Sequence, residues 1–410
     1  MLPLQQELEQ RGLLKHYTDP KLFELYDQWG QTFYFGMDPT ADSLHLGNFV
    51  NFMNAIHLML RGNRCIPLIG WATGMIGDPG GKDSERSFLD AATVAHNVSA
   101  IQTQISQILI YIQNLTGRAL NVAPVVNNHD FYTQMGYLDF LRDVGKYITI
   151  NTMITKDTVR KRIEDPEKSI SYTEFSYMLL QWYDFAKLYK DENCLLQIAW
   201  SDQRGNVVTG IELIHKKYNA KAYGLTCHLV LDSSGKKFGK SEGNALRLDP
   251  SKNTPYVVYQ YFINVSDDDV TRYLKLFTLL SFDEIDAIIW QHFTTPSQRL
   301  GQQRLAYEVI RIIFGESAAL SCQTVSLFLF ADDKITLLDT LTPDQLDMII
   351  QQVGVVAHDL DIITMAVSSG LCASRGIAKQ LVASGGLTCV YGTHYGLLCK
   401  WKKHLKIIQK

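Results

Sequence analysis

The sequence predicts an α/β fold: a parallel sheet with helices on both faces, then an all-helical segment, then a small α+β module. Three observations predict it. Short apolar strands alternate with helical patterns from about residue 30 to 231, helical patterns alone fill 254–330, and a module of mixed pattern follows a polar linker. The chain is 410 residues with 46% hydrophobic and 20% charged residues, enough for about two to four domains, and this excludes a disordered or collagen-like protein.

Thr32-Phe33-Tyr34-Phe35-Gly36-Met37 reads as the first strand. Leu46 to Arg61 reads as a helix on the spacing of Phe49, Phe52, Met53, Ile56 and Met59, with Gly62 as its stop. Cys65 to Ile69 is a second strand, followed by a Gly-rich loop from Gly70 to Arg86. Val98, Ile101, Ile105, Ile108, Leu109 and Ile112 recur at three and four residues and predict a long amphipathic helix. Val122–Val126, Leu195–Ala199 and Leu225–Leu231 complete the strands, which are expected to stop near Asp232. Ser266 and Thr295-Pro296-Ser297 are expected helix starts beyond it. Ala331 to Thr342 reads as a linker and Asp344 to Lys410 as the α+β module.

No apolar run approaches the roughly 18 residues that span a bilayer, and MLPLQQELEQRG is too polar for a signal peptide, so the expected compartment is the cytoplasm. Seven scattered cysteines, none in a C-x-x-C pair, argue for reduced thiols and against a zinc site. The net charge of −3 is unevenly spread: residues 371–410 carry +7 with no Asp or Glu, leaving −10 on the rest. That asymmetry fits a C-terminal module that meets a polyanion, and fits equally a solvated basic end.

Three constellations carry chemistry. Asp38-Pro39-Thr40-Ala41-Asp42-Ser43-Leu44-His45-Leu46-Gly47-Asn48 joins the first strand to the first helix, the place where open α/β sheets bind nucleotide phosphates. His45 and Asn48 share a face of the first turn and can donate to an anionic phosphate, Thr40 adds a hydroxyl, and Gly47 allows a ligand close to the helix. Thr73 to Arg86 is glycine-rich but not a Walker loop; Lys82 and Arg86 suit a flap over phosphates and Asp78 an ammonium partner. Lys236-Lys237-Phe238-Gly239-Lys240-Ser241 is a basic arm able to neutralise a triphosphate. In the helical stretch 172–185, Tyr177, Gln181 and Asp184 form one polar stripe, a pocket wall. Asp184 and Tyr34 together can bond a phenol as acceptor and donor at once.

His45-Leu46-Gly47-Asn48 with Lys237-Phe238-Gly239-Lys240-Ser241 resembles the paired HIGH and KMSKS signatures of class I aminoacyl-tRNA synthetases. YFGMDPTADSLHLGN, ISYTEFSYMLLQWYDF and LQIAWSDQRGNVVTGIELI resemble the bacterial-type tyrosyl-tRNA synthetases, and Ala366 to Val390 looks like the S4 RNA-binding module. The resemblance implies a Rossmann-like catalytic domain over 1–232, the KFGKS loop and a helical anticodon-region-binding domain over 233–330, and a linker plus S4-like domain over 331–410. It implies that Tyr34, Asp78, Tyr177, Gln181, Asp184 and Gln203 bind tyrosine and that Asp38, Thr40, His45, Gly47, Asn48, Asp202 and Lys240 serve ATP. It implies further that Lys82, Arg86, Lys237, Lys240 and Ser241 clamp the pyrophosphate. Implied partners are L-tyrosine, ATP with Mg2+, tRNA(Tyr) and a second copy of the chain, the interface near Phe131 to Ile154, with no dedicated metal site.

The sequence departs from the family where Asn48 replaces a usual histidine, where Trp71 and Ala199-Trp200 replace small glycines, and where Arg204 replaces a tryptophan. These positions bear on the nucleotide pocket. A catalytically silent RNA-binding relative is therefore the runner-up reading. A tryptophanyl-tRNA synthetase is disfavoured by the phenol pair and the S4-like tail, and a small nucleotidylyltransferase by length.

Overall fold

The computed structural model describes residues 2–78, 89–165, 169–230, 240–241, 244–331, 333–359, 361–392, 395–401 and 404–409. The chain opens with α1 (Leu4–Arg11), β1 (His16–Tyr17) and α2 (Lys21–Asp27), three short elements that the sequence patterns do not announce. β2 (Thr32–Met37), α3 (Leu46–Met59) and β3 (Arg64–Ile69) follow, and Gly62 at φ 82° is the expected stop after α3. Positive φ costs glycine little, which is why it stops a helix there.

Four expectations change. The loop from Gly70 begins instead with a short helix, α4 (Trp71–Ile76), because the Asn128 side chain accepts a hydrogen bond from the Ala72 N–H and so satisfies one exposed donor of its first turn. After α5 (Ala91–Thr116), the strand expected at Val122–Val126 shrinks to β4 (Val126–Asn127) plus a bridge between Val122 and Cys65, since Pro124 has no N–H for a ladder. Then come α6 (Tyr137–Asp143), α7 (Ile150–Ile154), α8 (Asp157–Ile163), α9 (Tyr172–Glu192), β5 (Cys194–Trp200), α10 (Arg204–Tyr218) and β6 (Tyr223–Cys227), the last strand starting two residues before its expected place. Beyond Asp232 the strands do not stop at once: β7 (Lys240–Ser241) and β8 (Asn244–Ala245) form a two-residue ladder.

The sheet order is β1-β6-β5-β2-β3-β4, parallel except for β1. Consecutive strands β2 and β3 run to one side, while β5 and β6 run to the other. Their divergence leaves a crevice at the carboxyl ends of β2 and β5. α3 is buried on nearly every face because it lies between this sheet and the helices that follow. Its buried polar residues have partners: Asn54 donates to the Leu13 carbonyl (3.3 Å) and His57 meets Glu7 (3.3 Å).

The helical segment comprises α11 (Pro255–Ile263), α12 (Asp267–Phe277), α13 (Phe282–Thr294), α14 (Leu300–Phe314) and α15 (Glu316–Phe330). Ser266 precedes α12 as expected, whereas Thr295-Pro296-Ser297 opens only a 3-10 turn and α14 starts after Arg299 at φ 55°. Arg11 joins the first helix to this segment by donating to the carbonyls of Lys275 (3.2 Å), Thr278 (3.1 Å) and Leu280 (2.9 Å), the acceptors left open where α12 ends.

The stretch read as a linker contains α16 (Lys334–Leu338), capped by Asp333. α17 (Pro343–Val353), β9 (Val355–Ala357), α18 (Ile362–Ser368), α19 (Arg375–Ala383), β10 (Leu387–Tyr391), β11 (Tyr395–Lys400) and β12 (His404–Gln409) form the small α+β module, with sheet order β10-β11-β12-β9. Side chains alternate across this sheet. Leu397, Leu405 and Ile407 join Leu346 and Ile349 in the core shared with the helical segment, while Leu398 and Ile408 face α18 and α19 with Met365 and Ala378.

Candidate active site

The crevice at the ends of β2 and β5 holds a cavity of about 180 Å³. Tyr34 and Asp38 enter it from β2 and the turn after it, Asp78 from the turn after α4, Tyr177, Gln181 and Asp184 from α9, and Gln203 from the turn before α10. The polar stripe on α9 thus faces a pocket, and Ser171 starts that helix by accepting from the Glu174 N–H (3.1 Å).

One end suits a phenol. Asp184 is 2% exposed; its Oδ1 accepts from the Tyr132 hydroxyl (2.8 Å) and its Oδ2 from Asn128 Nδ2 (2.9 Å). Burial pushes its pKa up to about 7, against the two hydrogen bonds that favour the charged form, with the Asp38 charge adding to the rise. The Tyr34 hydroxyl is buried and has no hydrogen-bond partner among the described residues. Asp184 and Tyr34 therefore line one cavity without a hydrogen bond to each other. A carboxylate has about four lone-pair sites, so Asp184 retains accepting capacity beside an uncommitted donor.

The other end gathers acids. Tyr177 donates to Asp38 Oδ2 (2.9 Å) and Thr73 donates to Asp38 Oδ1 (2.6 Å). Gln203 donates to Asp78 Oδ2 (2.7 Å), and Asn206 donates to the side-chain carbonyls of Gln181 (2.8 Å) and Gln203 (3.0 Å). Asp38, which resemblance allots to ATP, is tied to Tyr177, allotted to tyrosine. Gly70 is required here: a Cβ would stand 2.3 Å from Asp38 Oδ1 and 2.1 Å from Thr73 Oγ1. Two carboxylates held by neutral donors form an environment for an ammonium group.

At the head of α3, His45 and Asn48 also hold each other. The Asn48 N–H donates to His45 Nδ1 (3.1 Å) while the His45 N–H donates to Asn48 Oδ1 (3.0 Å), a reciprocal cap. Because Nδ1 accepts, the neutral ring carries its proton on Nε2, and burial followed by the Arg247 charge holds the imidazole below its ordinary pKa. His45 Nε2 and Asn48 Nδ2 are the donors this cap leaves for a phosphate. A Cβ at Gly47 would meet the His45 ring at 2.8 Å, so the absence of a side chain there gives the cap its room.

Thr40 and Asp202 are exposed at the loop and the turn beyond β5. Trp71 packs edge-on against His129, ring centroids 4.1 Å apart, and is not among the residues lining the cavity, whereas Trp200 and Ala199 line it and Arg204 is exposed. Lys82, Arg86 and Lys237 lie outside the described residues, and Lys240 and Ser241 enter only through their backbone ladder. Sequence reading missed Thr73, Asn128, Tyr132, Gln197 and Asn206. Asn206 lies three residues beyond Gln203, a spacing that signals a shared helical face, but Asn128 and Tyr132 reach Asp184 across more than 50 residues of chain and leave no local signal.

A doubly wound parallel sheet with a capped helix N-terminus beside an amino-acid-sized polar cavity defines a nucleotide-using α/β protein. The family model for class I tRNA synthetases (W and Y) matches residues 30–330. The tyrosine–tRNA ligases of Streptococcus pneumoniae and Streptococcus suis are each 42% identical over 387 residues, covering 93% of this chain and 90% of theirs. A C-terminally truncated mitochondrial tyrosyl-tRNA synthetase of Aspergillus nidulans superposes with a TM-score of 0.73 at 29% identity, over 80% of this chain and 95% of its own. A tryptophanyl-tRNA synthetase from Encephalitozoon cuniculi, at 15% identity and a TM-score of 0.51 over 81% of this chain and 89% of its own, shares the fold. The chain belongs to the class I tRNA synthetases, and within them to the bacterial-type tyrosyl-tRNA synthetases.

Proposed function

We propose that this chain activates L-tyrosine with ATP, releasing pyrophosphate, and transfers the tyrosyl group to the 3′ end of tRNA(Tyr): the activity of a tyrosine–tRNA ligase. The observation that carries the substrate is the buried pairing of an acceptor, Asp184, with the uncommitted Tyr34 hydroxyl in one cavity, opposite the Asp38/Asp78 acids. Phenylalanine in that cavity would leave the Tyr34 hydroxyl without a partner and the remaining accepting capacity of Asp184 unused. With the ammonium at the acidic end, the tyrosine carboxylate attacks the α-phosphorus of ATP and pyrophosphate leaves. His45 Nε2–H and Asn48 donate to the phosphates, and Lys82, Arg86, Lys237, Lys240 and Ser241 are the proposed clamp on the departing pyrophosphate. Catalysis is positioning and stabilisation of charge that develops in the transition state.

Magnesium enters with ATP as substrate. Among the described residues no group of three or more His, Cys, Asp or Glu side chains is placed to hold a metal ion. The proposed division of labour is catalysis over 1–232, anticodon-region contact over 233–330 and RNA docking over 331–410, where Arg375 and Lys379 are exposed on α19. Exposed Tyr137, Leu138 and Ile150 on α6 and α7 support a homodimer through this region. No helix among the described residues is long and apolar enough to cross a membrane, which supports a cytoplasmic enzyme. Exchange of labelled pyrophosphate into ATP tests the proposal: it must depend on tyrosine, and its absence would favour the silent relative.

A further inference from the structure

The loop that leads into the His45–Asn48 cap is physically joined to the backbone of 246–248, which follows the KFGKS stretch in the chain. Just past the KFGKS loop, the backbone of 246–248 lies antiparallel to that of 44–46: the Leu46 N–H donates to the Leu246 carbonyl (2.8 Å), and the Leu248 N–H donates to the Leu44 carbonyl (2.8 Å). His45 and Arg247 are the paired residues at the centre of this bridge. The Arg247 guanidinium donates through Nη1 to the Ser43 carbonyl (3.1 Å), and the Arg247 N–H donates to Asn253 Oδ1 (2.6 Å). One half-buried residue thus grips the loop two positions before the helix cap while its backbone anchors the strand emerging from the basic arm. From the other side, Gln104 of α5 accepts from the Leu44 N–H (2.9 Å) and donates to the Asp42 carbonyl (3.2 Å), closing the loop between two supports.

We infer that Arg247 is a positioning residue for adenylate formation, locking the His45–Asn48 cap to the end of the KFGKS loop so that both phosphate-handling groups hold one register. This rests on the activation reaction proposed above. Side-chain hydrogen bonds to a main-chain carbonyl act on loop geometry, and small misplacements of catalytic donors carry large rate penalties. Arg247 is not among the residues lining the tyrosine cavity, so its removal is expected to change tyrosine affinity little.

The test compares wild type, Arg247→Met and Arg247→Lys as full-length chains. Arg247→Met keeps the apolar stem and removes the donor; its kcat for tyrosine-dependent pyrophosphate exchange is expected to fall roughly ten- to a hundredfold, with the Kd for tyrosine within about twofold of wild type. Arg247→Lys, which restores one cationic donor, should recover part of the rate. In the absence of substrates, amide hydrogen exchange at Leu46 and Leu248 should accelerate in Arg247→Met while amides of β2 and β5 stay protected. Unchanged kcat with unchanged protection at Leu46 and Leu248 overturns the inference, as does a loss of tyrosine affinity equal to the loss of rate. If wild type shows no tyrosine-dependent exchange, the proposed function fails, and the amide measurement still decides whether Arg247 holds the two segments together.

Discussion

Tyrosine affinity should depend on pH through Asp184. Its carboxyl titrates near 7 because burial outweighs the donated hydrogen bonds of Asn128 and Tyr132. A phenol O–H donates to the ionised carboxylate, so the deprotonated protein is the binding form. With a pKa near 7, the ionised fraction rises from about one-tenth at pH 6 to about nine-tenths at pH 8, which strengthens tyrosine binding about tenfold across that interval. Below pH 7, binding releases a proton. Calorimetry in two buffers of different ionisation enthalpy measures both quantities, and Asp184→Asn, with no titrating group, should bind weakly and without pH dependence. The same shift has a stability consequence of definite sign. The native carboxyl holds its proton more tightly than the unfolded one, whose pKa is near 3.8, so this contribution is fully present below that value and is lost as pH rises through about 7. Thermal unfolding of wild type minus Asp184→Asn isolates it. A tyrosine Kd that is flat between pH 6 and 8 in the wild-type protein would refute the argument.

Three other changes test separate parts of the structure. Tyr34→Phe removes a buried hydroxyl with no partner among the described residues, so stability should hold or rise while tyrosine affinity drops by about 0.5–1.5 kcal/mol, roughly two- to thirteenfold; undiminished affinity in a binding titration would remove Tyr34 from the phenol site. Gly47→Ala forces the His45 ring out of its cap, which should cost about 1 kcal/mol in denaturant unfolding and slow activation; a variant as active as wild type would mean that the cap does not position His45. A chain ending at Leu341 should keep tyrosine-dependent exchange but melt lower, because it uncovers the core completed by Leu346, Ile349 and Ile407, and should charge tRNA poorly, having lost the +7 segment. Equal tRNA charging by the two chains would make that segment a solvated end.

Local pattern carried a large share of the architecture. The period of Val98 to Ile112 is a helical face whatever surrounds it, and Gly62 marks a boundary through its own backbone freedom. The α9 stripe was legible for the same reason, since residues three and four apart must share a face. α4 was not, because the group that caps its first turn, Asn128, arrives from a distant loop. Nor was the shared core of the C-terminal module with the helical segment, since alternation along β11 and β12 says that two faces exist but not what covers each.

The composition, the alternation of strands and helices, and the residue types of the proposed phosphate and phenol sites were properties of the sequence alone, for they depend on spacing and chemical kind. Tertiary structure decided the raised pKa of Asp184, the idle hydroxyl of Tyr34 and the grip of Arg247 on Ser43. Each of these depends on burial or on a partner far along the chain. Desolvation and long-range hydrogen bonds exist only once the backbone has folded, and no periodicity in the sequence encodes them.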